Sequence, residues 1–351
     1  MILDGYAPES IVAGANCIRA GDLLGLPTET VYGLGADADN DTAIARIFIA
    51  KGRPADHPLI VHVLNAEGVA HFASEVPDFA QALIQAFWPG PLTLILPRRE
   101  GVAAAAAGGQ SSIGLRCPSH PVAQALLKAC LQADATLPLP ASTVQKPVWG
   151  IAAPSANQFG RVSPTTAAHV QGEFGADLLI LDGGPCTVGI ESTIIDCTRG
   201  VPVLLRPGAI TPEQVQAACG LRVLSKDEAL TQTSPAPRAS GTLESHYAPS
   251  AKVRLMDAKA LQTALDLLGD GLDRAAAKPT IATYARAILA TRSAQVLRRR
   301  MPDDAAATAQ QLFAVLREFD AQGVKLIWIE TPPDSPEWDG VRDRLMRASA
   351  V

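Results

Sequence analysis

The sequence predicts an α/β fold. Short apolar runs alternate with helical patterns along the chain. Polar residues follow the apolar runs directly, where open α/β sheets gather ligands. After a Ser/Thr/Pro/Gly-rich break at 231–249, the same alternation starts again. In order, Leu23–Leu26, Leu59–Val63, Thr93–Leu96, Ile113–Arg116, Leu178–Leu181, Ser192–Asp196 and Val203–Leu205 read as strands. Asp41–Ala50, Asp78–Phe87, Pro121–Leu131, Pro164–Gln171 and Pro212–Cys219 read as helices, several of them starting after Asp, Ser, Pro or Thr. The stretch Ala133–Gly150 carries three prolines and no periodicity, so it reads as a loop. Beyond the break come strand Val253–Met256, helix Ala258–Leu268, strand Thr280–Tyr284, helix Ala305–Gln322, strand Lys325–Glu330 and helix Glu337–Ala348. The expected division is a first domain over 8–211, a connecting helix and linker over 212–252, and a second domain over 253–351.

Composition excludes several classes of protein. The chain has 351 residues, 48% hydrophobic and 19% charged, too apolar for disorder and long enough for about two cores. Net charge is −5, and aromatics make up 5%, so neither a broad basic face nor a base-stacking surface is expected. No apolar run approaches a membrane span, and Met1–Gly14 has neither the basic start nor the apolar centre of a signal peptide. The expectation is a cytoplasmic protein. Its six cysteines include no C-x-x-C pair and are expected to be reduced and buried.

Five segments hold the candidate chemistry. In Pro27–Gly35, hydroxyls and two glycines suit a small polar ligand; an ordinary strand–turn–helix connection is the alternative. Lys51 and Arg53 sit at a helix end before Pro54. They could close the last carbonyls or hold a polyphosphate, Arg as a fork and Lys as a point charge. His62, ending a strand, could equally be a core histidine. Arg116 lies in an apolar strand and needs an anion: an internal Asp or Glu, or a ligand. In Ala153–Asn157 small residues admit a close ligand, with Ser155, Asn157 and Ser163 offering polar groups; Ser163 also reads as a helix cap. Gly189–Ile194 with Leu205–Gly208 again pairs hydroxyls with an arginine. The run Arg298–Arg300 reads as a solvated helix end. No triad, Cys/His pair or H-E-x-x-H occurs, so the chemistry expected is orientation and charge stabilisation.

Together P-T-E-T-V-Y-G-L-G, K-G-R-P, H-P-L-I-V-H, F-W-P-G-P-L-T-L, G-L-R-C-P, P-S-A-N, E-S-T-I and L-R-P-G stand in an order that resembles the YrdC-like threonylcarbamoyl-AMP synthases, over Ser10–Thr211. S-H-Y-A-P at Ser245–Pro249, with a further α/β domain behind it, is similar to the two-domain branch. The resemblance implies a YrdC-like twisted open sheet with flanking helices and a smaller Rossmann-like C-terminal domain. It implies that L-threonine and bicarbonate give N-carboxythreonine, whose carboxylate attacks the α-phosphate of ATP, yielding threonylcarbamoyl-AMP and pyrophosphate. A tRNA threonylcarbamoyl transferase complex would use the product.

By the same resemblance Thr30, His62, Arg116, Ala153 (through its backbone) and Ser192 would hold L-threonine, Arg116 taking the carboxylate. Lys51, Arg53, His57, Ser112, Ser155, Asn157, Ser163, Arg206 and Tyr247 would hold the nucleotide, with Lys51 and Arg53 the catalytic pair on the phosphates. Mg2+ would arrive with ATP, and no protein metal site is expected. His57 departs from the Asn common in the family, and the linker R-A-S-G-T-L-E-S-H-Y-A-P is less basic than usual, so tRNA contact through it is weakly supported. Two rivals follow: a YrdC-like module binding double-stranded RNA without turnover, and a carbamoyl-phosphate-using adenylating enzyme. The acidic balance opposes the first, and the lack of zinc-finger cysteine spacing opposes the second.

Overall fold

The computed structural model describes residues 1–132, 146–229, 237–239, 247–268, 279–291, 293 and 295–350. Most of the expected loop at 133–150 and of the linker at 231–249 lies outside them. The chain forms two compact units, Met1–Phe159 with Pro164–Thr242, and Gly160–Ser163 with Leu243–Val351.

The first unit runs β1 (Ile2–Asp4), α1 (Pro8–Arg19), β2 (Leu24–Leu26), β3 (Gly33–Asp37), α2 (Asp41–Lys51), β4 (Ile60–His62), α3 (Ala66–Phe72), α4 (Asp78–Phe87), β5 (Leu92–Pro97), β6 (Ser112–Arg116), α5 (Pro121–Leu131), β7 (Ile151–Ala152), α6 (Ala167–Phe174), β8 (Leu179–Asp182), β9 (Thr193–Asp196), β10 (Val203–Arg206), α7 (Pro212–Cys219), β11 (Leu224–Ser225) and α8 (Lys226–Ala229). Its strands form one mixed sheet in the order β1-β8-β2-β3-β7-β4-β6-β5-β9-β10-β11. The central strands are buried on both faces, so they read as continuous apolar runs rather than alternating ones. Two layers of core flank them, one including Ile44, Ile47, Phe72, Leu83 and Leu94, the other Ile18, Leu24, Leu126 and Ile151.

The expected class holds, with local corrections. Pro27–Gly35 joins strand to strand, not strand to helix: Gly33–Asp37 pairs with β2 and with β7. Its glycines are packing requirements, since a Cβ on Gly35 would come within 2.7 Å of Leu26 Cδ2. Ser163 caps no helix. Thr166 does, accepting from the His169 N–H, and α6 starts at Ala167, three residues later than expected. Within the expected connecting segment, α7, β11 and α8 group with the first unit, and β11 extends its sheet beside β10. Helix α1 was not foreseen. It opens with Pro8 at its first turn and buries the small residues Gly14 and Ala15, which carry little hydrophobic signal. None of the six cysteines forms a disulfide; Cys17 and Cys219 are half-buried rather than buried.

The second unit holds β12 (Lys252–Met256), α9 (Ala258–Leu268), β13 (Ile281–Ala285), β14 (Val296–Arg300), α10 (Ala305–Ala321), β15 (Leu326–Glu330) and α11 (Asp339–Ser349). Its sheet is parallel throughout, ordered β12-β15-β13-β14, which fits the expected Rossmann-like domain. Arg298–Arg300 ends strand β14, not a helix; the three side chains face solvent, and Arg299 and Arg300 pair with Glu318 and Asp303. No described helix is long and apolar enough to cross a membrane.

Candidate active site

A charged pair lies buried in the first unit. Thr28–Val31 leaves β2 as a turn in which Thr28 Oγ1 donates to the Val31 carbonyl at 2.6 Å and meets Thr30 Oγ1 at 2.9 Å. Arg116, closing β6 as register partner of His62 on β4, reaches this turn. Its Nη1 donates to Thr30 Oγ1 at 2.8 Å, its Nε to the Gly90 carbonyl at 3.2 Å, and its Nη2 lies 2.7 Å from Glu29 Oε1. The residue at 90 must be glycine, since a Cβ there would fall 2.3 Å from the Phe87 carbonyl oxygen. Burial raises the pKa of Glu29, but the Arg116 guanidinium more than reverses this and holds the carboxyl below its usual range. His62 is buried beside the pair. Desolvation and the Arg116 charge push it down to about 3, so the ring is neutral. Arg116 thus has the internal carboxylate its burial demands, and Thr30 and His62 are brought to the same place.

The second cluster sets its cations on backbone carbonyls. Helix α2 starts at an Asn40 cap and ends at Gly52 in the left-handed conformation, φ 62°. Lys51, in its last turn, is therefore turned inward. Its Nζ donates to the carbonyls of Ser155, at 2.6 Å, and of Asn157. Desolvation and the Arg53 charge lower its pKa from 10.5 to about 7, partly opposed by Glu173. Arg53 is also buried and donates to the Pro58 carbonyl at 3.0 Å. His57 is half-buried and stands edge-on to Phe159 at 5.6 Å. The P-S-A-N segment is pinned to the first cluster by backbone: Ala156 N–H donates to the Tyr32 carbonyl at 2.8 Å, and Gly33 bridges Ser155.

The third cluster joins β5, β9 and β10. Ser192 Oγ lies 2.7 Å from Thr93 Oγ1 and accepts from Arg206 Nη2 at 3.2 Å, while Arg206 Nε donates to the Ser192 carbonyl at 3.0 Å. A Cβ on Gly208 would come 2.5 Å from the Thr193 nitrogen, so L-R-P-G and E-S-T-I can touch only with glycine there.

The remaining expected residues lie as follows. Ala153 is buried, its N–H bonded to the Ile60 carbonyl at 3.0 Å. Ser112 opens β6 opposite Pro97. Asn157 Nδ2 donates to the Gln158 carbonyl at 2.7 Å. Ser163 groups with the second unit, where its carbonyl accepts from Arg317. Tyr247 also lies there, stacked on Phe313 at 5.5 Å with Arg344 over its ring at 5.2 Å. Sequence reasoning missed Glu29, Thr28 and Thr93. The need of Arg116 for an internal acid is the signal in the sequence that points to Glu29. Among the described residues no group of three His, Cys, Asp or Glu is placed to hold a metal ion.

Buried cations on loop carbonyls, beside a buried Arg–Glu pair on an open mixed sheet, define an α/β protein that binds anions by position and charge. The Sua5/YciO/YrdC family model, described as telomere recombination, matches residues 16–208, and that of the threonylcarbamoyl-AMP synthase C-terminal domain matches 210–350. The threonylcarbamoyl-AMP synthase of Bacillus subtilis (strain 168) is 35% identical over 97% of this chain and 92% of its own. That of Pyrococcus abyssi is 36% identical over 95% of this chain and 92% of its own. The crystal structure of P. abyssi Sua5 complexed with L-threonine is 34% identical, covers 99% of this chain and 97% of that one, and has a TM-score of 0.84. This chain belongs to the threonylcarbamoyl-AMP synthase family, with both domains, and is an enzyme.

Proposed function

We propose that the chain makes L-threonylcarbamoyl-AMP and pyrophosphate from L-threonine, bicarbonate and ATP. The observation that carries the reading is the pairing of two sites within one unit: Lys51 on the P-S-A-N carbonyls, and Arg116 on the P-T-E-T turn. The solved relative with L-threonine bound supports an amino-acid substrate.

Arg116 takes the threonine carboxylate, with Thr30, His62, Ser192 and the Ala153 backbone around the rest. The amine condenses with bicarbonate, water leaves, and the new carbamate carboxylate faces the α-phosphate. Lys51 and Arg53 hold the phosphates, aided by His57, Ser112, Ser155, Asn157 and Arg206 of the same unit. Lys51, close to neutral without ligand, is recharged by a phosphate as it binds, so its interaction strengthens where charge accumulates. Attack by the carbamate oxygen breaks the α–β phosphoanhydride bond, and pyrophosphate departs. These cations and amides are donors for anions, not metal ligands, so Mg2+ belongs to the substrate as MgATP. The product passes to a tRNA threonylcarbamoyl transferase complex in the cytoplasm; direct tRNA contact is a minor element of this reading.

The test is pyrophosphate release from ATP with Mg2+ and bicarbonate, with and without L-threonine. Threonine-dependent release by the wild type, lost in Lys51→Ala, supports the reading. No release under any condition, with salt-dependent RNA binding instead, overturns it in favour of the binding module.

A further inference from the structure

In a well-formed protein interior buried polar atoms have partners, and each exception calls for a cause. Three residues of the threonine-side cluster carry such exceptions. Neither carboxylate oxygen of Glu29 has an aligned hydrogen bond, nor does Nη2 of Arg116 or Nδ1 of His62, and all three residues are more than nine-tenths buried. Glu29 and Arg116 meet at 2.7 Å, and the Glu29 and Ser119 backbone amides also act on the carboxylate, yet none of these contacts is well aligned. The groups of this cluster suit a ligand that brings both a donor cation for Glu29 and an anion for Arg116. A zwitterionic α-amino acid carries both on one carbon.

We infer that Glu29 is a catalytic residue of this reaction, receiving the α-ammonium of the amino acid and then its proton. The inference rests on the reading of the pocket as the threonine site and deepens it. Without substrate, Glu29 neutralises Arg116. When the amino acid enters, its carboxylate takes over the guanidinium and its ammonium takes over Glu29. Glu29 is then a buried carboxylate whose permanent cationic neighbour is shared with another anion, and its proton affinity rises. One proton moves from nitrogen to Glu29, giving a free amine and a neutral carboxyl. The nitrogen lone pair forms the bond to the bicarbonate carbon and water leaves. The reaction R–NH3+ plus bicarbonate to carbamate and water releases one proton, and Glu29 is where it goes.

The assignment predicts selectivity in the wild type alone. By calorimetry on the full chain, N-acetyl-L-threonine, which has no ammonium, should bind on the order of 100-fold more weakly than L-threonine. Glu29→Gln, checked for folding by its melting temperature, should weaken L-threonine binding and nearly erase that discrimination. Its turnover at saturating L-threonine and MgATP, relative to the wild type, should rise several-fold between pH 7 and 8.5, by at most about tenfold per pH unit, because solution then supplies the free amine. The other groups facing Glu29 whose titration burial shifts move away from that window: His62 and His120 are held down, and Cys117 and Cys186 are pushed up. A purely structural role for Glu29 would leave the ratio independent of pH. Equal wild-type binding of the two ligands, or a flat ratio, overturns the assignment while threonine-dependent pyrophosphate release stands. Failure of the wild type to bind L-threonine overturns the assignment together with the reading of the site.

Discussion

The two charged clusters of the first unit handle buried charge in opposite ways. Arg116 is neutralised by Glu29 within the fold, at 2.7 Å. Lys51 and Arg53 rest on carbonyl oxygens, and Glu173 acts favourably on Lys51 from a neighbouring element. A compensated site is stable when empty and must exchange partners to bind. Lys51 is instead held partly discharged by burial, and a phosphate restores its charge. The two sites should therefore fail differently. Damage to the cation cluster should cost activity and leave stability intact, whereas damage to the ion pair should cost both.

The largest expected effect is on the cation side. Lys51→Ala should lower kcat/KM for pyrophosphate release by about a thousandfold, in line with the loss of a phosphate-stabilising cation. Its melting temperature should not fall, because the wild-type lysine is desolvated at some cost. A large drop in melting temperature would show that Lys51 is chiefly a structural strut for P-S-A-N.

Next comes Arg116→Met, which leaves Glu29 buried without its cation. The loss should be about 3 kcal/mol of stability by urea denaturation, the usual cost of breaking one side of a buried pair. The double variant Glu29→Gln, Arg116→Met should recover much of that loss while still binding no L-threonine. An Arg116→Met protein as stable as the wild type would mean the pair is not coupled as the 2.7 Å contact implies.

The third contrast is in pH. Lys51 titrates near 7 when folded and near 10.5 otherwise. Between those values the unfolded chain holds the extra proton, so stability of the ligand-free protein should rise with pH, by at most about 1.4 kcal/mol per unit. Lys51→Met should remove that slope and Arg116→Met should not. Saturating MgATP should also flatten it, by raising the folded-state pKa of Lys51.

How much of this was legible in the sequence follows from what each residue depends on. Helices α4, α5 and α7 were readable to the residue, since Pro or Asp starts them and their apolar spacing is regular. Strand β3 was not, because Gly33-Leu34-Gly35 reads as loop, and only the close approach of Leu26 and Ile151 explains the glycines. Lys51, Arg53 and Arg116 announced themselves as cations where cations are costly. Glu29 did not: a carboxylate between two threonines in a turn is unremarkable until folding brings Arg116 to it across 87 positions of sequence. Likewise Arg298–Arg300 looked like a helix end because charge spacing cannot separate a helix terminus from an exposed edge strand, which β14 is.

The smallest expected effect decides where the third cluster belongs. By resemblance Ser192 stands on the threonine side and Arg206 on the nucleotide side, yet the two are in contact, Arg206 Nη2 to Ser192 Oγ at 3.2 Å. Ser192→Ala removes that bond and the 2.7 Å contact with Thr93, but keeps Arg206 Nε on the Ser192 carbonyl. The cost should be about 1 kcal/mol, because Arg206 keeps its bond to the Ser192 carbonyl and so offsets part of the two lost contacts, or roughly a fivefold change in one KM. A rise in the KM for L-threonine with the KM for ATP unchanged places Ser192 with the compensated site and makes Arg206 its support. A rise in the KM for ATP instead places both with Lys51 and Arg53, leaving Glu29–Arg116 as the whole of the charged amino-acid site.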